Sequence, residues 1–212
     1  MIYTKFVDSP MGKIMMSSED GALTGLWFDN GRYFAEDLKK KTVTDISEPD
    51  PQAETAKPET SSKNAGEVIF ENASACPDAD GKVFELTEKW LKLYFEGKDP
   101  GFLPPYRLTG SDFRKRVGEI MLEIPYGKTI TYGDIAQKIA AERGLERMSA
   151  QAVGGAVGHN PISIIVPCHR VVGTNGSLTG YGGGMPKKVA LLTLEGHDVE
   201  KEFSIPTKGT AL

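Results

Sequence analysis

Two cysteines and three histidines in 212 residues leave little from which to build a metal centre or a disulfide framework. Cys76 and Cys168 stand far apart in unlike surroundings. His159, His169 and His197 complete no metal-ligand spacing with them, so neither a metal nor any other cofactor is expected. So few thiols fit a reducing, cytoplasmic compartment in which Cys168 stays free. No apolar stretch approaches the length of a membrane span. Met1-Ile2-Tyr3-Thr4-Lys5 opens with strand-like residues rather than a signal peptide, so no membrane partner is expected. Neither sign of charge dominates: the net value is −4, with 39% apolar and 25% charged residues, the balance of an ordinary globular protein. Residues 106–195 hold eleven Lys/Arg against seven Asp/Glu, whereas residues 1–105 hold twelve against nineteen. A mildly basic half joined to an acidic half is compatible with nucleic-acid binding by the former.

Apolar side chains alternate or cluster over 2–7, 12–17 and 22–28, between Ser9-Pro10, Glu19-Asp20-Gly21 and Asn30-Gly31, the pattern of an antiparallel meander. A short helix is predicted from about Arg32 to Lys40. From about Lys41 to Gly81 the composition turns to Pro, Glu, Thr, Ser, Lys and Ala, which reads as a flexible insertion interrupted by a strand at Val68-Ile69-Phe70. Val83 to Glu96 carries a helical apolar stripe closed by Gly97. Pro100 to Pro105 then forms a linker, and the boundary between an N-terminal domain (1–104) and a C-terminal domain (105–212) is set there. Ser111-Asp112 caps a helix from Phe113 to about Glu123, stopped by Pro125 and Gly127. Thr131 caps a second, Tyr132 to about Arg143, and Ser149 a third, Ala150 to Gly158. The last two form a helix-turn-helix pattern.

The chemistry concentrates at Pro167-Cys168-His169-Arg170. The preceding run Ile162-Ser163-Ile164-Ile165-Val166 is β-branched and bounded by prolines, so it reads as a buried strand that delivers a cysteine and a histidine at its end. A thiol is mostly protonated at neutral pH, and a neighbouring imidazole can raise its thiolate fraction. Cys168 is therefore the candidate nucleophile.

Several words from Phe113 onward bear a resemblance. They are Ile124-Pro125-Tyr126-Gly127-Lys128-Thr129, Thr131-Tyr132-Gly133, Ala152-Val153-Gly154-Gly155-Ala156, Gly158-His159-Asn160-Pro161, Pro167-Cys168-His169-Arg170-Val171-Val172, Gly180-Tyr181 with Gly183, and Leu194-Glu195-Gly196. In this order the sequence resembles the methylated-DNA–protein-cysteine methyltransferases, which repair 6-O-alkylguanine by direct reversal. The resemblance implies an α/β (α+β) architecture, with a small ribonuclease-H-like N-terminal domain built on an antiparallel sheet and a winged-helix-like C-terminal domain. It implies irreversible, single-turnover transfer of a methyl group from 6-O-methylguanine, and also from 4-O-methylthymine, to Cys168. His169 would deprotonate the thiol through a water, Glu195 would orient the imidazole, Asn160 would complete the polar network, and Tyr132 would donate toward the departing base. Pro167, Val171, Tyr181, Gly182 and Gly183 would shape the substrate pocket. The partner would be double-stranded DNA carrying alkylated bases, bound by a monomer through the minor groove with the target base flipped out. Ser149, Ala150, Gln151, Ala152, Gly154 and Gly155 would line that contact, with Arg114 and Arg147 near phosphates.

Two positions depart from the family pattern. Gln151 stands where an intercalating arginine is common, and Gly118 where a tryptophan is frequent. Two other functions use the same residues. A cysteine hydrolase also needs Cys, His and an acid, but requires an oxyanion hole and turns over. A lesion-binding helix-turn-helix protein would have no need of the nucleophile.

Overall fold

The structure, a computed structural model, describes residues 1–29, 31, 34, 35, 38, 42–45, 69–72 and 76–205. Period-two alternation sets the faces of its first strands, β1 (Ile2–Val7), β2 (Ile14–Glu19) and β3 (Ala22–Phe28). Ile14 and Met16 point to one side with Leu23, Leu26 and Phe28, while Met15 points to the other with Ile2 and Trp27. These strands form the expected antiparallel meander. The sheet continues beyond it, however. β4 (Thr42–Asp45) pairs parallel to β1, and β5 (Ile69–Asn72) parallel to β4, giving the order β3-β2-β1-β4-β5. Part of the stretch read as an insertion is thus sheet, because Thr42-Val43-Thr44 and Ile69-Phe70 are β-formers amid polar sequence. The rest of that stretch before Cys76, and most of the helix expected over 32–40, lie outside the described residues.

Helix α1 (Asp78–Phe95) begins earlier than its apolar stripe suggested. Asp80 explains the extension: its buried carboxylate accepts from Ser18 Oγ at 2.6 Å and from the Gly21 backbone at 3.0 Å, tying the first turn to the β2–β3 hairpin. Val83, Phe84, Trp90, Leu91 and Tyr94 of α1 share one continuous core with the sheet and with the helices that follow.

Those helices obey local capping rules. α2 (Asp112–Leu122) is capped by Ser111, whose hydroxyl accepts from the Arg114 amide. β6 (Ile130–Thr131) leads into α3 (Tyr132–Glu142), opened by a capping box between Thr131 and Asp134. Ser149 caps α4 (Ala150–Gly158), which packs on α2 and α3. At Gly118 in α2, a Cβ would stand 3.0 Å from Leu108 Cδ1, so Leu108 occupies the side where a larger residue would project. β7 (Val171–Val172) pairs parallel with β6, and α5 (Met185–Leu194) and α6 (Val199–Glu202) are the last helices among the described residues. No helix among the described residues is long and apolar enough to cross a membrane.

The exposed edge of the sheet is covered by the second half of the chain. Leu23 donates to Pro105 O at 2.8 Å and accepts from Arg107 N at 2.9 Å. Leu26 likewise donates to Pro161 O at 2.8 Å and accepts from Ser163 N at 2.9 Å. The second pair of bonds leads straight into the cysteine loop.

Candidate active site

The run Ile162–Val166 is buried but is not a strand. Only Ile162 makes a bridge, to Leu26; the chain then turns, with Val166 N donating to Ile162 O at 3.0 Å and Ile164 held at φ 69°. A β-branched residue in left-handed backbone is strained and survives only where its surroundings over-determine it. Asn160 supplies much of that constraint. Its amide donates to Val166 O at 2.7 Å and Ile162 O at 3.3 Å, and its carbonyl accepts from Ile162 N at 3.1 Å, taking groups a ladder would have used. Burial, rather than sheet pairing, accounts for the β-branched composition.

Pro167 ends this turn, and Cys168–Arg170 form a single 3-10 turn. Cys168 is 6% exposed, and its Sγ accepts from Asn160 Nδ2 at 3.1 Å. Burial pushes the thiol pKa up against the pull of Asn160 and Lys188, so the resting sulfur is a protonated thiol. It needs a base.

His169 is wholly buried, with Nε2 2.7 Å from Glu195 Oε1. Burial opposes the Glu195 charge, but the hydrogen bonds from His169 and Arg170 and the Arg170 charge outweigh it and hold the carboxyl at about 2. An ionised carboxylate only accepts, so Nε2 carries the proton and the neutral ring keeps its lone pair on Nδ1. Nδ1 is buried and makes no hydrogen bond among the described residues. Burial also lowers the pKa of His169, partly offset by Glu195, which keeps the ring neutral and available as a base near pH 7.

Several groups that sequence reasoning did not assign to the site stand around this pair, Arg170, Gly127 and Lys188 among them. Arg170 binds Glu195 through Nε at 2.9 Å to Oε2 and Nη2 at 2.9 Å to Oε1, while Nη1 donates to Ile124 O at 2.7 Å. Gly127 donates its backbone N–H to Glu195 Oε2 at 3.1 Å. Its φ of 68° and the Glu195 carbonyl, 3.1 Å from where a Cβ would stand, explain the glycine. Lys188 is fully buried, donates to Val171 O at 2.7 Å and Thr179 O at 3.2 Å, and is brought by burial to a pKa of about 8. Its one signal in the sequence is helical spacing, since Leu191 and Leu192 stand at i+3 and i+4 and are both core residues.

Beside Cys168 opens a cavity of about 790 Å³ lined by Tyr132, Ala150, Gln151, Gly154, Gly155, Thr179, Tyr181 and Gly182, among others. Tyr132 Oη donates to Thr179 O at 3.1 Å, and burial holds its phenol protonated. Tyr181 folds over Gly183, where a Cβ would come within 2.7 Å of its ring.

Known proteins resemble this chain. A sequence profile described as 6-O-methylguanine DNA methyltransferase, DNA binding domain, matches residues 112–197. A methylated-DNA–protein-cysteine methyltransferase of Mycolicibacterium paratuberculosis is 36% identical over 195 residues, covering 92% of this chain and 93% of that protein. The chain belongs to the methylated-DNA–protein-cysteine methyltransferases. It is a DNA-repair protein of the direct-reversal kind, which moves an alkyl group from DNA to protein. The enzyme of the same name from Mycobacterium tuberculosis is 50% identical over 116 residues, 55% of this chain and 67% of that one. The crystal structure of Mycobacterium tuberculosis OGT in complex with DNA superimposes with a TM-score of 0.62 at 33% identity, covering 91% of this chain and 92% of that one.

The remaining predicted site residues of this methyltransferase fall into two groups. Val171 is buried, with its carbonyl already accepting from Lys188, and Pro167 is buried ahead of the cysteine. Ser149, Ala150, Gln151 and Ala152 are exposed along the first turn of α4 and just before it, Gly155 is exposed one turn further, and Gly154 is half-buried beside Tyr132. Arg147 is exposed in the α3–α4 connection, whereas Arg114 is half-buried at the start of α2, and neither is among the residues that line the cavity.

Proposed function

We propose that Cys168 is the acceptor, taking a methyl group from 6-O-methylguanine, and from 4-O-methylthymine, presented by a flipped nucleotide of double-stranded DNA. The observation that carries this reading is a buried thiol at the wall of the cavity, beside a histidine whose Nε2 proton is fixed by Glu195. His169 Nδ1 accepts the thiol proton through a water. The S–C bond forms as the bond from carbon to the base oxygen breaks. The proton lost by sulfur balances the one the restored base gains, delivered from the Tyr132 hydroxyl side of the cavity. The thioether has no route back, so each chain acts once.

The DNA contact is read onto α3 and α4, with Gln151 at the cavity rim filling the vacated stack. Beyond Gly155 a Cβ would meet nothing within 4 Å, so internal packing does not explain that glycine and close approach of DNA does. Phosphate attraction is assigned to Arg147 and Arg114. All groups of the relay belong to one chain, which supports a monomer. The strand order β3-β2-β1-β4-β5 supports a ribonuclease-H-like N-terminal domain ending near residue 104, and α2–α4 with the β6–β7 pair support a winged-helix-like C-terminal domain.

Mixing the protein with an oligonucleotide carrying 6-O-methylguanine is expected to add one methyl mass per chain, on the peptide that holds Cys168. Repeated turnover, or modification at Cys76, would overturn the assignment and favour a hydrolase or a chance alkylation. Gln151→Ala is expected to slow repair of duplex DNA far more than transfer from free methylated guanine base, because extrusion itself costs a few kcal/mol. Gln151→Arg should tighten duplex binding and steepen its salt dependence by roughly one released counterion. Equal slowing by Gln151→Ala on both substrates would move Gln151 from the stack to the pocket.

A further inference from the structure

We propose that Tyr94, carried by α1, is a positioning residue for the transfer. Its phenol holds Glu195 so that His169 keeps its Nε2 proton and presents Nδ1 to the thiol. The proposal rests on the relay read above.

Tyr94 lies in a helix whose apolar stripe would accept any large side chain at that position, and its ring is fully buried. The ring stacks on Trp90, with centroids 5.1 Å apart and planes 10° apart, and meets Tyr126 edge-on at 6.0 Å and His169 edge-on at 6.3 Å. So clamped, its hydroxyl has one direction. It donates to Glu195 Oε1 at 2.7 Å and stands 3.2 Å from His169 Nε2. A phenylalanine would fill the same core volume. The hydroxyl is buried for another reason.

Oε1 is the oxygen that also receives the imidazole proton. Arg170 Nη2 also donates to Oε1, at 2.9 Å. The Tyr94 hydroxyl, added to it, further limits how strongly the carboxylate draws the imidazole proton and helps to fix the carboxylate plane. Burial and the Glu195 charge push the phenol pKa far up, so Tyr94 remains a donor throughout the working range. The groups acting on the imidazole are Glu195, which raises its pKa, and Arg170 and Lys188, which lower it. Cys168 precedes it in the chain, and Tyr94 is the contribution from α1. Without the hydroxyl, Oε1 is more basic and stabilises the imidazolium. Less neutral base is then present at a given acidic pH.

The test is the single-turnover transfer rate from a methylated oligonucleotide between pH 5 and 8.5. Tyr94→Phe is expected to slow transfer on the order of tenfold near neutral pH, since a charge-assisted hydrogen bond is lost while base and carboxylate stay. Its acid limb should move to higher pH, and DNA affinity should hold. A rate and limb matching the parent overturn the proposal, and so does equal slowing at every pH, which marks a packing role. If His169→Ala and Glu195→Gln also leave the rate alone, the relay reading itself has failed rather than the part given to Tyr94. NMR of the unaltered protein gives an independent readout should the variant not fold. A slowly exchanging Tyr94 hydroxyl proton close to a protonated His169 Nε2 is expected, and an Nδ1-protonated ring overturns the proposal.

Discussion

His169→Ala is expected to slow methyl transfer by about 10²–10⁴-fold, the range for losing a positioned general base. The buried Cys168 thiol is held protonated by its surroundings, so without the imidazole it loses the base that the proposed relay gives it. The parent rate should fall as pH drops through the folded value of His169, which burial sets below the ordinary 6.5. That limb should vanish in the variant. DNA affinity, measured by titration of an unmodified duplex, should change little because His169 is wholly buried. A variant as fast as the parent would show that Cys168 is activated by another group.

Arg170→Met should have the largest effect on stability, about 3–5 kcal/mol, because it strips the main counter-charge from a buried carboxylate. The sign of its pH dependence follows from Glu195, whose pKa falls from an ordinary 4.5 to about 2 on folding. A depressed carboxyl contributes stability in full above its unfolded value and loses it as pH falls through the folded one. That contribution is about 3 kcal/mol at pH 7 by linkage. In Arg170→Met the folded value rises toward the ordinary one. The gap between parent and variant should therefore be widest at neutral pH and narrow between about 4.5 and 2. Urea unfolding at pH 7, 4 and 2.5 measures it, and a constant gap would mean that Arg170 acts by packing and through Ile124 O alone.

Local chemistry made much of this molecule legible. Ser111, Thr131 and Ser149 announced their helices because a cap is decided within four residues. The meander was readable from period-two alternation, whereas Cys168, His169, Asn160 and Glu195 were brought into one neighbourhood by the family resemblance and not by any local rule. The run Ile162–Val166 misled because a β-branched composition reports burial, and a buried turn braced by Asn160 looks the same in sequence as a buried strand. β4 was hidden by short length inside polar sequence. Tyr94 and Arg170 escaped notice for a different reason. Their partners lie 101 and 25 positions away, at Glu195, and no local rule pairs a tyrosine in a core stripe with so distant a carboxylate.

The covered edge of β3 also orders events during synthesis. The sheet and α1 leave the ribosome well before Ile162 and Ser163 do, so for that interval Leu26 offers its backbone groups to any extended strand nearby, the usual hazard of an unguarded edge. The loop that later carries the nucleophile is its own chain's guard against such pairing. A lesion in that loop severe enough to unseat Ile162 from Leu26 would then be felt as loss of yield in the cell as well as loss of repair.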